Sequence, residues 1–112
     1  MIIENSGLNG LTSELGFLDE VTTNVGFFRG AWDYTRATYD FKIEDAGNTY
    51  YLRINTRAVE GKLENPHTIL NVEHVYLGKW TFPHGVEYET PIPTHILKTA
   101  EQTLASLKAA LD

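Results

Sequence analysis

The chain has 112 residues, no cysteine, a net charge of -6 and a pI near 5.1, which suits one domain burying roughly 60 to 70% of its unfolded surface without covalent staples. Absent cysteine excludes disulfides and thiolate metal sites, and the acidic balance, with Arg29, Arg36, Arg53, Arg57, Lys42, Lys62 and Lys79 scattered among acids, argues against nucleic acid as a partner. The start, Met1-Ile2-Ile3-Glu4-Asn5, lacks a basic segment followed by an apolar run, and no stretch approaches the ~20 apolar residues that span a bilayer; the expected setting is cytoplasmic, with no membrane partner.

In chain order, Met1-Ile2-Ile3 reads as a strand or a capping arm before the turn-rich Asn5 to Gly10. Leu11 to Leu15 is either extended or the beginning of a helix, and a helix start is expected near Gly16. From there Leu18, Val21, Thr22 and Val25 follow helical spacing, with Asp19 and Glu20 expected in the first turn and Gly26 as the stop. Phe28, Trp32 and Tyr34 at even spacing predict a strand, bulged at Gly30, and Thr35-Arg36-Ala37 would turn it into a hairpin.

That hairpin organises the chain. Tyr39, Phe41 and Ile43 share one face of its first arm and Tyr50, Leu52 and Ile54 one face of its second, around Asp45-Ala46-Gly47-Asn48. If Glu44 pairs with Thr49, all six apolar side chains land on one side, and Asp40 meets Arg53 on the other. A one-residue slip would expose every apolar group, so two patterns select one register.

Thr56 to Asn65 reads as a polar connection ending at Pro66. Thr68 to Leu77 is β-like with mixed parity, Leu70, Val72, His74 and Tyr76 against Ile69, Val75 and Leu77, which implies a bulge or cover on both faces. Gly78 to Tyr88 reads as a long ordered loop or a loop and a short edge strand. Pro91 and Pro93 lead to a last helix, capped by Thr94 or begun at Pro93, with the stripe Ile96, Ala100, Thr103, Leu104, Leu107 and Leu111 laid on the hairpin's apolar face. The expected fold is α+β in two layers, an antiparallel sheet of four to five strands with two helices on one face, as a single domain over residues 1-112.

Phe28-Arg29-Gly30, Trp32-Asp33-Tyr34, Arg36 to Asp40, Tyr50 to Ile54, Tyr76-Leu77-Gly78-Lys79 and Pro83 to Tyr88 together resemble the YugN-like family of small proteins from Bacillus-type bacteria, over nearly the whole chain. The resemblance implies a compact α+β domain and no assigned activity, ligand or catalytic residue. The chain departs from the family pattern at Gly16 and Thr22-Thr23, where stronger helix formers are expected.

Four histidines, His67, His74, His84 and His95, offer weak metal chemistry, because His67 and His74 differ by an odd number and no HExxH pair occurs; no metal and no cofactor is expected. His84 and Glu87, approached by His74, form the candidate catalytic set of a small hydrolase or isomerase, with or without a metal. Glu87 and Glu89 would share a face if extended, as paired acids or as solvated edge charges. Ser6, Ser13 and Ser106 lack a nucleophile elbow, and there is no glycine-rich phosphate loop.

The aromatic set is more informative. In the set Trp32, Tyr34, Tyr51, Tyr76, Trp80, Phe82 and Tyr88 the Tyr and Trp residues combine broad apolar bodies with polar tips, which suits a recognition surface or a second small core, and Trp80, Phe82, Tyr88, Tyr51, Trp32 and Arg53 are the binding residues expected. The function expected is a non-catalytic binding or interaction domain for a protein or small molecule, a homodimer included; the rivals are the His/Glu enzyme and a purely structural role.

Overall fold

The computed structural model describes residues 1–111. The elements are β1 (Thr12–Glu14), α1 (Leu15–Val25), β2 (Phe28–Trp32), β3 (Arg36–Asp45), β4 (Asn48–Glu60), β5 (Ile69–Thr81), β6 (Gly85–Glu87) and α2 (Thr94–Leu111). The strands form an antiparallel sheet ordered β1-β5-β4-β3-β2, with β6 also on β5. Six strands and two helices make the α+β architecture expected, with one strand more than the upper estimate. The extra strand arises because β1 and β6 are three-residue pieces, too short to show a period.

The central hairpin has the register its alternation demands: Tyr39 pairs with Ile54, Phe41 with Leu52, Ile43 with Tyr50 and Asp40 with Arg53. Asp45 and Asn48 close the ladder one step beyond Glu44 and Thr49, leaving a two-residue turn at Ala46-Gly47. Both turn residues have left-handed φ, 48° and 80°, the geometry that matches the twist of a tight hairpin. Glycine adopts it freely; Ala46 does so against the contact of its Cβ with the backbone.

One face of the sheet is covered. Leu52, Val75 and Leu77 are fully buried there, and Tyr39 and Ile54 nearly so, in one cluster with Leu15, Leu18 and Val21 of α1 and Ile96, Ala100, Leu104 and Leu107 of α2. Phe41 is half-buried and packs on Phe27 at a ring separation of 5.3 Å. Each large apolar side chain so buried contributes roughly 1.5 to 3 kcal/mol, so this face holds most of the fold's hydrophobic driving force.

Local periodicity errs where distant backbone decides. The mixed parity of β5 comes from a bulge: Asn55 faces His74 and Thr56 faces Val72, so Glu73 is the extra residue, and Leu70, Val72, Val75 and Leu77 all reach the buried face. Helix α1 starts at Leu15 rather than Gly16, because its first amides find carbonyls across the chain, Leu15 N–H on Thr68 and Gly16 N–H on Pro66. Gly16 is small for that reason, since a Cβ would stand 3.3 Å from Pro66. The earlier start moves Asp19 and Glu20 beyond the first turn, which holds no acid. Gly26 ends the helix as expected, at φ 118°, with its N–H on Thr22 and Thr23.

The polar run expected from Thr56 instead continues β4 to Glu60, and β5 extends to Thr81, so of the two readings of Gly78 to Tyr88 the loop with a short edge strand holds, as a turn and β6. At α2 the Pro93 carbonyl accepts from Ile96 and Leu97, which makes Pro93 the residue capping the helix and Thr94 its first residue.

Both sheet edges are interrupted. On the free side of β5 the cover comes in three pieces, β1, a bridge from Ile2 to Tyr76, and β6. The other edge is β2, which carries a bulge between Arg29 and Trp32. Such edges discourage strand addition by a second molecule.

Candidate functional site

Cross-strand partners share a face, so the register defines the uncovered side of the sheet. It carries Phe28 of β2, Asp40 and Lys42 of β3, Tyr51 and Arg53 of β4, His74, Tyr76 and Trp80 of β5, and Val86 of β6. Among the described residues no helix lies over it.

Its centre is built on a glycine. Gly78 stands opposite Tyr51, and a Cβ there would come within 2.6 Å of Val86 Cγ1, 2.8 Å of the Glu87 carbonyl oxygen and 3.0 Å of the Tyr88 ring. Without a side chain at this point, Tyr88 crosses β5 and its hydroxyl accepts a hydrogen bond from Arg53 Nη1 at 2.8 Å. Arg53 also donates from Nε to Asp40 Oδ1 at 2.8 Å and from Nη2 to Oδ2 at 3.1 Å, a two-pronged pair with a carboxylate only 6% exposed. That carboxylate raises the Arg53 guanidinium further above its ordinary range, against the opposing effect of burial. Asp40, Arg53 and Tyr88 thus tie β3, β4 and the residue that follows β6 together across the middle of the face.

Around this tie the rings touch. Tyr76 lies 5.1 Å from Tyr88 and 5.9 Å from His74, and Tyr51 meets Trp80 edge-on at 6.4 Å, distances at which aromatic pairs attract. Tyr51, Tyr76 and Tyr88 are half-buried, whereas Trp80 is 46% and Phe28 48% exposed. Phe82 caps the turn after β5 and is 88% exposed.

Five of the six expected recognition residues, Tyr51, Arg53, Trp80, Phe82 and Tyr88, therefore gather on this face and the turn at its end. Trp32 does not join them. It pairs with Ala37, whose side chain points to the covered face, and it lies beneath the Arg29 guanidinium at 5.2 Å from the ring centroid. Arg29 in turn reaches Asp19 Oδ2 at 3.4 Å, and Asp19 Oδ1 accepts from the Tyr39 hydroxyl at 2.6 Å. This second polar tie pins α1 to the sheet. Burial, then the Asp19 carboxylate, pushes the Tyr39 phenol well above its ordinary value.

The expected catalytic set does not converge. His74 lies on the open face, Glu87 pairs with Lys79 on the parity of the covered face, and His84 is exposed in the β5–β6 turn. Glu87 accepts from Thr90 at 3.2 Å, and no hydrogen bond or ion pair joins it to His84 among the described residues. The other two histidines are tied elsewhere, His67 to Glu14 at 2.8 Å and His95 to Asp45 at 2.9 Å. Among the described residues no three His, Asp or Glu side chains are grouped to hold a metal ion.

Residues that sequence reasoning passed over at this site are Gly78 and Phe28. The only local signal was the pairing of a mid-strand glycine with an aromatic, which needs the β4–β5 register before it has meaning.

The comparisons agree with this geometry. The model of the YugN-like family matches residues 4–108. The uncharacterized protein YlbA of Bacillus subtilis (strain 168) is 43% identical over 84 residues, covering 74% of this chain and 70% of YlbA. The uncharacterized protein YugN of the same strain is 27% identical over 88 residues, covering 78% of this chain and 66% of YugN. The crystal structure of the uncharacterized conserved protein YugN from Geobacillus kaustophilus HTA426 matches with a TM-score of 0.86 and 34% identity, over 99% of this chain and 94% of that one. Similar in both sequence and fold over almost its full length, the chain belongs to the YugN-like family.

Proposed function

We propose that the protein is a non-catalytic binding domain of the cytoplasm that meets its partner through the open face of the sheet. The observation that supports this reading is the ordered aromatic surface itself: two ring pairs, Tyr51 with Trp80 and Tyr76 with Tyr88, stand about a fixed Arg53–Asp40 pair on the side opposite the helices. Rings already held in place lose little conformational freedom on binding, which favours affinity, and Tyr and Trp supply the largest contact area per residue. The rival catalytic pairing finds less support, because His74 is on this face whereas Glu87, opposite Lys79, has the parity of the other.

The reading is tested by amide NMR spectra of the isotope-labelled protein during a screen of small planar and aromatic fragments. Shifts concentrated at Tyr51, Arg53, Tyr76, Trp80 and Tyr88 are expected. Hits confined to the groove between the helices, at Asn24, Thr99 and Thr103, with the open face silent, would overturn it.

A further inference from the structure

The open face differs from the rest of the surface in charge as well as in aromatics. By register, and by the reach of Glu73 to Arg57, it holds Arg36, Lys42, Arg53 and Arg57 against Asp40, Glu44 and Glu73. Four of the chain's nine basic residues but three of its fifteen acidic ones are therefore here, so the face carries +1 while the remainder of a -6 chain carries -7. Two such molecules that met through the remainder would bring net charges of -7 together. This is the face on which they can approach without that cost.

Three of its four cations are also engaged. Arg53 is held by Asp40 at 2.8 Å, Arg57 by Glu73 at 3.1 Å and Lys42 by Glu44 at 2.9 Å. An acidic ligand would have to displace an intrachain carboxylate at each of these positions, whereas a partner with balanced charge would not. Neither end presents a single-sign patch, since Lys42–Glu44 lies at one and Arg57–Glu73 at the other.

The area is sufficient. Strands β2 to β6 run 5, 10, 13, 13 and 3 residues, and with a rise of roughly 3.3 Å per residue and about 4.8 Å between strands they cover on the order of 700 Å². A specific protein pair buries about 600 to 1,000 Å² on each partner. Addition through the edges is blocked by the bulge in β2 and the three-piece cover of β5, which leaves packing of face on face.

We infer that a second copy of this chain docks on the open face, sheet against sheet, with Trp80 and Phe28 seated between the two copies. The inference rests on the binding reading above and names its partner. A two-fold pair is self-complementary: each copy offers the other the same rings and the same paired charges.

Sedimentation equilibrium across a dilution series tests it, on the full chain and three variants. The full chain is expected to dimerise. Trp80→Glu, which places a new acid among the rings, should weaken the dimer by about 30-fold or more. Lys42→Glu, at an exposed position with no core contact, should weaken it by roughly tenfold through charge alone. Lys98→Glu, on the exposed side of α2, should leave it unchanged. Circular dichroism of each variant shows that the fold is retained, and Lys42→Glu keeps the test decisive if Trp80→Glu misfolds. A full chain that stays monomeric at every concentration overturns the inference, as does a dimer that Lys98→Glu disrupts and Lys42→Glu does not. A monomer whose open face still gathers fragment shifts would remove the second copy and leave the binding reading standing; a monomer with a silent face would remove both.

Discussion

Leu52 and Arg53 are neighbours in β4, yet one is fully buried under the helices and the other lies on the face that no helix covers. The two sides of this sheet are held by different forces. The covered side is cohesive through area: Leu52, Val75, Leu77 and Ile54 contact the apolar stripes of α1 and α2, with Tyr39 as the one phenol reaching a polar partner. The open side is cohesive through geometry. There Arg53 joins Asp40 and Tyr88, and the rings of Tyr76 and Tyr88 lean on each other above a glycine. Non-directional burial gives stability and tolerates exchange of one apolar residue for another, whereas a fixed array of polar tips and rings gives shape. The difference explains how one face can fold the chain while the other stays available to a partner.

Five substitutions separate these roles, and the largest effect belongs to the covered face. Leu52→Ala removes a fully buried side chain from mid-strand and should cost about 2 to 5 kcal/mol in urea unfolding; a cost under about 1 kcal/mol would mean that this layer is not the cohesive one. On the open face, Arg53→Met leaves the 6% exposed Asp40 carboxylate without its partner. The expected loss is about 1 to 3 kcal/mol, below that of a fully buried pair because the Arg53 side chain keeps 30% of its exposure. Changing Asp40→Leu along with Arg53→Met should recover much of it, since the penalty lies in the orphaned charge.

Tyr39→Phe probes the polar exception on the covered face. It deprives Asp19 of the 2.6 Å bond and should cost about 1 kcal/mol at neutral pH. Its pH signature has a definite sign. The folded phenol holds its proton above the ordinary value of about 10, so this contribution is fully present below that pH and is lost as pH rises above it. Alkaline unfolding curves should show the full chain losing stability there more steeply than Tyr39→Phe. The smallest effect is expected for Trp80→Ser, which at 46% exposure should shift unfolding by no more than about 0.5 kcal/mol while abolishing fragment shifts on the open face. A large loss of stability would instead mark the ring as part of a second core.

Much of the covered face was legible from spacing. Alternation at Tyr39, Phe41 and Ile43, the answering set at Tyr50, Leu52 and Ile54, and the helical stripe from Ile96 to Leu107 each have one local period and one apolar side. The Asp40–Arg53 pair followed from the same register. Trp32 shows where this stops, because the bulge in β2 after Arg29 sends its ring to the covered side, beneath a guanidinium. His74 and Glu87 show the same limit, since their separation onto opposite faces depends on the pairing of β6 with β5, which sets Glu87 opposite Lys79.

The sequence by itself determined the hairpin, its register, the apolar side of each arm and the acidic character of the molecule, because these depend on side-chain order within a few residues and on a turn two residues long. Only the tertiary structure decided where α1 begins, which β5 residues are buried, and that Tyr88 passes over Gly78 to reach Arg53. Those outcomes rest on carbonyls, bulges and open space supplied by segments far away in the chain, and no local period encodes them.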